Sequence, residues 1–90
     1  MEICRKAGMP VILVIGQRVP RWPECHIPAW ADPSWDLTAY IRRIVERYGG
    51  YPNLLYWQVE NEPFLLFGEC PPTDVELIKK ETALVRSLDP

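Results

Sequence analysis

The pattern of apolar and polar residues divides the chain into alternating helices and strands. Met1–Ala7 is interpreted as the end of a helix, because Gly8 follows it and glycine often ends helices. Pro10–Gly16 is a continuous aliphatic run, typical of a strand that is buried on both faces. Leu54–Glu60 predicts a second strand.

Apolar residues at helical spacing predict two further helices. Asp32 and Pro33 suit the N-cap and first position of one helix, which should end at Gly49 and Gly50. Its apolar face consists of Leu37, Tyr40, Ile41, Ile44, Val45 and Tyr48. The last helix should begin with a capping box at Thr73–Glu76. Its apolar stripe consists of Leu77, Ile78, Leu84, Val85 and Leu88.

The resulting order, (α)-β-α-β-α, predicts an α/β fold. Strands that alternate with amphipathic helices are expected to pair in parallel, so Val11–Ile15 should lie beside Leu55–Glu60. Two strands would leave a sheet edge and the inner strand faces open. Residues 1–90 are therefore interpreted as part of a (β/α)8 TIM barrel, a fold of about 250 residues.

Composition and charge narrow the classes of function. The chain has 48% hydrophobic and 24% charged residues, an ordinary globular balance. Its net charge of -2 provides no basic surface for nucleic acid or for a membrane. No apolar run approaches the roughly 20 residues of a membrane span, and Met1–Gly8 does not have the pattern of a signal peptide. These features do not indicate a cellular location.

The cysteines predict neither a zinc finger nor a disulfide framework. Cys4, Cys25 and Cys70 are widely spaced and form no CxxC pair. A zinc site built from Cys25, His26 and Cys70 would lack a fourth ligand. Free thiols are favoured over a Cys25–Cys70 disulfide, and no metal or cofactor is expected.

The second predicted strand has polar residues on one face. Polar side chains inside a barrel need a functional or structural reason. Alternation predicts one face that packs on helices, composed of Leu55, Trp57 and Val59. The other face holds Gln58, Glu60 and Glu62. Glu62 should lie at the carboxyl end of the strand, where barrel enzymes place their catalytic groups. A partly desolvated carboxyl group favours its protonated form, which suits a general acid.

Asn61-Glu62-Pro63, at the end of a hydrophobic strand, resembles the clan A glycoside hydrolases, which include family 5 cellulases and mannanases and family 42 β-galactosidases. The resemblance covers essentially the whole chain, from the second to the fourth helix of the barrel. It implies a retaining O-glycosyl hydrolase that acts on a β-linked oligosaccharide or polysaccharide without a cofactor. Glu62 would be the acid/base, and Asn61 would bind the sugar 2-hydroxyl. The clan's nucleophile, a glutamate after strand seven, has no counterpart here.

Two neighbours of Glu62 need separate interpretation. Simple alternation points Asn61 away from the barrel interior, so its role requires a bend or bulge at the strand end. Glu60 is not assigned as the nucleophile, since it would lie about 6.6 Å deeper on the same strand rather than across the sugar. It is interpreted as a partner that modulates Glu62 and contacts substrate, or otherwise as an ordinary interior residue.

The loop after the first strand should supply further substrate contacts. Arg18, Trp22 and His26 are assigned to substrate binding, with stacking on a sugar ring for Trp22 or Trp30. At least one of the first three should open onto the same concave surface as Glu62. Packing of the loop is the alternative for the tryptophans, and it is favoured for Phe64–Phe67.

Other functional classes remain open. A transglycosylase would use the same residues. A non-catalytic α/β module for carbohydrate binding or protein interaction is the main alternative. A nucleotide-binding fold is disfavoured, because Gly16–Val19 contains a single glycine. By itself the chain is expected to be inactive and poorly folded.

Overall fold

The architecture is that of a computed structural model, which describes residues 1–18, 29, 37–66, 70 and 72–90. The elements in chain order are α1 (Glu2–Lys6), β1 (Val11–Val14), α2 (Leu37–Tyr48), β2 (Leu54–Gln58) and α3 (Val75–Leu88). Within the described residues they form a small α/β fold in which β1 and β2 pair in parallel. The predicted element order and the predicted parallel pairing are confirmed. Both strands are shorter than predicted, and the expected cap at Asp32 and Pro33 lies outside the described residues.

Glycine ends α1 as the sequence predicts. Gly8 has a φ of 69°, a left-handed conformation that favours glycine. The amide of Met9 donates to the carbonyl of Cys4 (2.8 Å), and that of Gly8 donates to the carbonyl of Arg5 (3.1 Å). These two bonds are the pair that defines a Schellman motif.

The start of α3 differs from the prediction by one residue. The N-cap is Asp74, whose carboxylate accepts a hydrogen bond from the amide of Glu76 at 3.0 Å. The predicted capping box placed Thr73 in this role and is wrong. A carboxylate is the stronger acceptor, and its negative charge also interacts favourably with the positive end of the helix dipole.

A β-bulge interrupts the sheet at the beginning of β2. Val11 pairs with Leu54 and Ile12 pairs with Tyr56, so Leu55 has no partner on β1. Packing of Leu55 on the helices is predicted by alternation, but the side chain is exposed. The bulge explains the difference, because an extra residue breaks the alternation of side chains. Beyond it, Leu13 pairs with Trp57 in regular register.

The core lies between the sheet and the two long helices. Its buried residues are Ile15, Ile41, Val45 and Val85. Trp57 and Val59 pack against them, as alternation predicts. The indole nitrogen of Trp57 donates to a carboxylate oxygen of Asp89 (2.7 Å), which joins β2 to the end of α3.

The opposite face of the sheet is open among the described residues. Ile12 is 53% exposed and Tyr56, its partner on β2, is 64% exposed. The aliphatic run of β1 predicts burial on both faces, whereas within the described part of the chain it is covered on only one. No described helix has the length and apolarity to cross a membrane.

Candidate active site

The ends of β1 and β2 bring the predicted site residues to one edge of the sheet. Parallel strands end on the same side, so the segments that follow them become neighbours. The amide of Ile15 donates to the carbonyl of Gln58 (2.8 Å), just beyond the end of β1. The amide of Asn61 then donates to the carbonyl of Arg18 (2.9 Å), so the two segments remain joined beyond the strands.

Glu60 is buried between these two segments. Its side chain is 7% exposed, and its carboxylate accepts hydrogen bonds from the amides of Gln17 (3.0 Å) and Arg18 (2.7 Å). Alternation places Glu60 on the open face with Gln58, but β2 ends at Gln58 and the chain bends. The carboxylate therefore binds the backbone after β1.

Arg18 holds the loop that carries Glu62. The residue is 3% exposed, and its Nη1 donates to the carbonyl oxygen of Glu62 at 2.7 Å and to the carbonyl oxygen of Leu65. The amide of Leu65 also donates to the carbonyl of Glu62 (3.1 Å), which closes a turn with Pro63 at its second position. The guanidinium thus fixes both ends of this turn, a placement that differs from the predicted sugar contact.

Glu62 has an unusual backbone conformation. Its φ is 46°, the one positive value for a non-glycine residue in the described ranges. Such a conformation costs about 1–3 kcal/mol and is concentrated at functional sites. The residue is exposed, so the partial desolvation expected for a general acid is missing among the described residues.

Asn61 follows the bend that its proposed role requires. Its Oδ1 accepts a hydrogen bond from Nε2 of Gln58 at 3.2 Å. The same nitrogen donates to the carbonyl of Glu60, also at 3.2 Å. Gln58 lies in β2 opposite Val14, so it ties Asn61 back to the strand and holds its side-chain amide beside the strand end.

Glu81 is a buried acidic residue that the sequence-based prediction missed. It is 3% exposed, and among the described residues no N–H or hydroxyl group donates a hydrogen bond to either carboxylate oxygen. Burial, and after it the hydrogen bond and negative charge of Glu60, raise the pKa of Glu81 to about 8. The signal is present in the sequence, because Glu81 lies four residues from both Leu77 and Val85 within the apolar stripe of α3.

A cavity of about 150 Å³ lies between the strand ends and the start of α3. Gln17, Arg18 and Glu60 line one side, and Thr73, Asp74 and Leu77 line the other. Glu62 does not line it, so this cavity is not the shared concave surface predicted for Arg18 and Glu62.

Several predicted contacts fall in parts of the chain that the structure does not describe. Trp22, His26 and Trp30 lie outside the described residues, so their assignments stay predictions. Cys70 is disulfide-bonded, with its partner outside the described ranges, whereas Cys4 is a free thiol. The preference for free thiols is therefore wrong for Cys70. Among the described residues, no group of three or more His, Cys, Asp and Glu could hold a metal ion.

Comparisons with known proteins identify no relative of this chain. The chain matches no protein-family model, no curated protein and no solved structure. Its function is therefore inferred from the geometry of the strand ends and from the chemistry of their residues.

Proposed function

We propose that this chain supplies the acid/base part of the active site of a retaining O-glycosyl hydrolase that acts on a β-linked oligosaccharide or polysaccharide. Glu62 is the acid/base, and Asn61 binds the sugar 2-hydroxyl. One observation carries the proposal: Glu62 follows the carboxyl end of a parallel strand in a strained conformation that Arg18 holds from the neighbouring strand end. Strain maintained by a buried side chain is typical of residues kept for function.

The chemistry requires Glu62 to act twice. In the first step its carboxyl proton passes to the glycosidic oxygen as the bond from the anomeric carbon to that oxygen breaks, and the nucleophile's carboxylate bonds to the carbon. In the second step the Glu62 carboxylate takes a proton from water, whose oxygen bonds to the anomeric carbon as the ester bond to the nucleophile breaks. The exposed side chain of Glu62, at a strand end, is accessible both to the glycosidic oxygen and to the attacking water.

The carboxyl groups that the structure describes near the strand ends are not placed to act as the nucleophile. Glu60 and Glu81 are buried behind the strand ends, and Asp74 caps α3. A retaining reaction needs its second carboxyl group about 5–5.5 Å from the first, across the sugar. The proposed parent is therefore a (β/α)8 barrel, in which another strand supplies this group. The open sheet face around Ile12 and Tyr56 supports this, since a barrel covers its outer face with helices and turns the other face inward.

The test is leaving-group dependence in the protein at its natural length. Glu62→Gln removes the transferable proton while keeping the size of the side chain. For aryl β-glycosides with poor leaving groups, kcat/KM of the variant should fall about 10²–10⁴-fold. For substrates with good leaving groups, the rate of the bond-breaking step should fall far less, because the leaving oxygen departs without a proton.

A matched control is Glu76→Gln, which neutralises an exposed carboxylate on α3. Its kinetics should equal those of the unmodified protein. In Glu62→Ala, azide should restore turnover and yield a β-glycosyl azide, since this small anion attacks the covalent intermediate without a general base. Equal losses on good and poor leaving groups, without azide rescue, would show that Glu62 is not the acid/base. Absence of any glycosidase activity in the unmodified protein would favour a non-catalytic carbohydrate-binding module.

A further inference from the structure

Two buried carboxyl groups from different elements meet behind the proposed site. Glu60 follows β2 and Glu81 lies in the middle of α3, and the exposed fractions are 7% and 3%. Their side chains are within hydrogen-bonding reach of each other. Two carboxylates cannot both be charged in such a position without strong repulsion, so such a pair retains one proton.

The surroundings decide which residue holds the proton. The Glu60 carboxylate accepts hydrogen bonds from the amides of Gln17 and Arg18. Hydrogen bonds of this kind stabilise the ionised form of a carboxyl group. Within the described part of the chain the oxygens of Glu81 have no hydrogen-bond donor, so its neutral form is favoured. A protonated Glu81 can in turn donate to Glu60, which gives its buried hydroxyl a partner.

We propose that Glu81 holds this proton and donates it to Glu60, and that the pair is a positioning device for the turn after β1. Glu60 fixes the amides of Gln17 and Arg18, and Arg18 fixes the carbonyl of Glu62. Glu81 thus acts on Glu62 through Glu60 and Arg18 and touches no substrate. The effect on catalysis rests on the proposed function, whereas the shared proton does not.

The charged groups around the pair are limited within the described part of the chain. Arg18 lies in the segment after β1, and Asp74 lines the same cavity as Glu60. α2 packs on α3 and contributes the half-buried Tyr40, while the α2 side chains Arg42, Arg43, Glu46 and Arg47 are exposed. Arg18 is therefore the one described cation that is buried with the pair.

The pair makes stability dependent on pH in a defined direction. Between the ordinary value of 4.5 and the raised pKa of about 8, the folded chain holds a proton that the unfolded chain has lost. Stability therefore falls as pH rises through this interval and levels off above it. Loss of the proton also places two carboxylates together, which should weaken the hold of Glu60 on the turn.

The experiment compares Glu81→Gln with Glu81→Leu in the protein at its natural length. The glutamine amide can still donate to Glu60 but cannot ionise, whereas leucine can do neither. In the unmodified protein the side-chain ¹³C signal of Glu81 should titrate near pH 8. The amides of Gln17 and Arg18 should exchange hydrogen about tenfold faster in Glu81→Leu than in Glu81→Gln. Both variants should lose the fall in urea midpoint between pH 5 and 8, and Glu76→Gln should retain it.

The outcomes separate the shared proton from the proposed function. Titration of Glu81 near 4.5 would overturn the shared proton. Equal exchange of the two amides in both variants would overturn the positioning role. If Glu81 titrates as expected and the amides respond, but no glycoside is hydrolysed, the pair stands and the proposed function fails. If hydrolysis occurs, kcat should fall in Glu81→Leu and be rescued in Glu81→Gln, with little change in KM.

Discussion

Gly16 lies against the backbone of Val59 so closely that no side chain fits between them. A β-carbon on Gly16 would be 2.1 Å from the carbonyl oxygen of Val59 and 2.5 Å from Oε1 of Glu60. Gly16 also has a φ of 106°, which side chains rarely adopt. This approach brings the two strand ends together and lets Glu60 reach the amides after β1.

Gly16→Ala should therefore destabilise the fold by about 3 kcal/mol or more, since it adds a backbone clash to the conformational strain. Gly8→Ala is the matched control, because Gly8 has a φ of 69° and a β-carbon added there would meet nothing within 4 Å. Gly8→Ala should lower the free energy of unfolding by about 1–2 kcal/mol, from conformational strain alone. Urea unfolding of both variants measures the difference. Equal losses would contradict the close approach.

Arg18→Lys should loosen the Glu62 turn even though the charge is kept. The lysine side chain is shorter than that of arginine and ends in a compact ammonium, so it does not place a donor where Nη1 of Arg18 meets the carbonyls of Glu62 and Leu65. We expect a loss of about 2–4 kcal/mol in unfolding free energy. Limited chymotrypsin cleavage after Phe64 should become faster. Arg42→Lys, at an exposed position of α2, should change neither measurement. An unchanged cleavage rate in Arg18→Lys would show that Arg18 does not position the Glu62 turn.

Trp57→Phe should reveal the bond between β2 and the end of α3. The change keeps most of the apolar contact but removes the donor to Asp89. We expect a loss of about 1–3 kcal/mol, since the acceptor is charged. A double-mutant cycle with Asp89→Ala checks it, because the second change should add little once the first is made. Fully additive losses would mean that the two side chains do not interact.

Glu62→Asn should stabilise the fold while removing acid/base activity. Asparagine tolerates the left-handed conformation better than glutamate does, so part of the strain at a φ of 46° is relieved. The expected gain is about 0.5–1 kcal/mol, measured as a higher urea midpoint. Glu62→Gln keeps the strain and should leave the midpoint unchanged. A loss of stability in Glu62→Asn would contradict the strained conformation.

Much of the candidate site could be inferred from the order of its elements. Parallel pairing follows from the β-α-β order, and it already brings Arg18 and Glu62 to one edge of the sheet. The direction of Glu60 could not be inferred in this way. Alternation holds only while a strand continues, and β2 ends at Gln58. The partners of Glu60 then depend on Gly16 and Glu81, which are distant in sequence.

The sequence by itself determined the order of the helices and strands and the residues at which α1 and α2 end, because periodicity and glycine act through local backbone geometry. Gly8 ends α1, and Gly49 follows the last residue of α2, as predicted. Only the tertiary structure decided that Leu55 is the extra residue of a bulge, that Arg18 binds the Glu62 turn and that Glu81 is buried beside Glu60. These features arise where separate segments meet, and the free energies of burial, repulsion and hydrogen bonding there depend on distances that local sequence does not set.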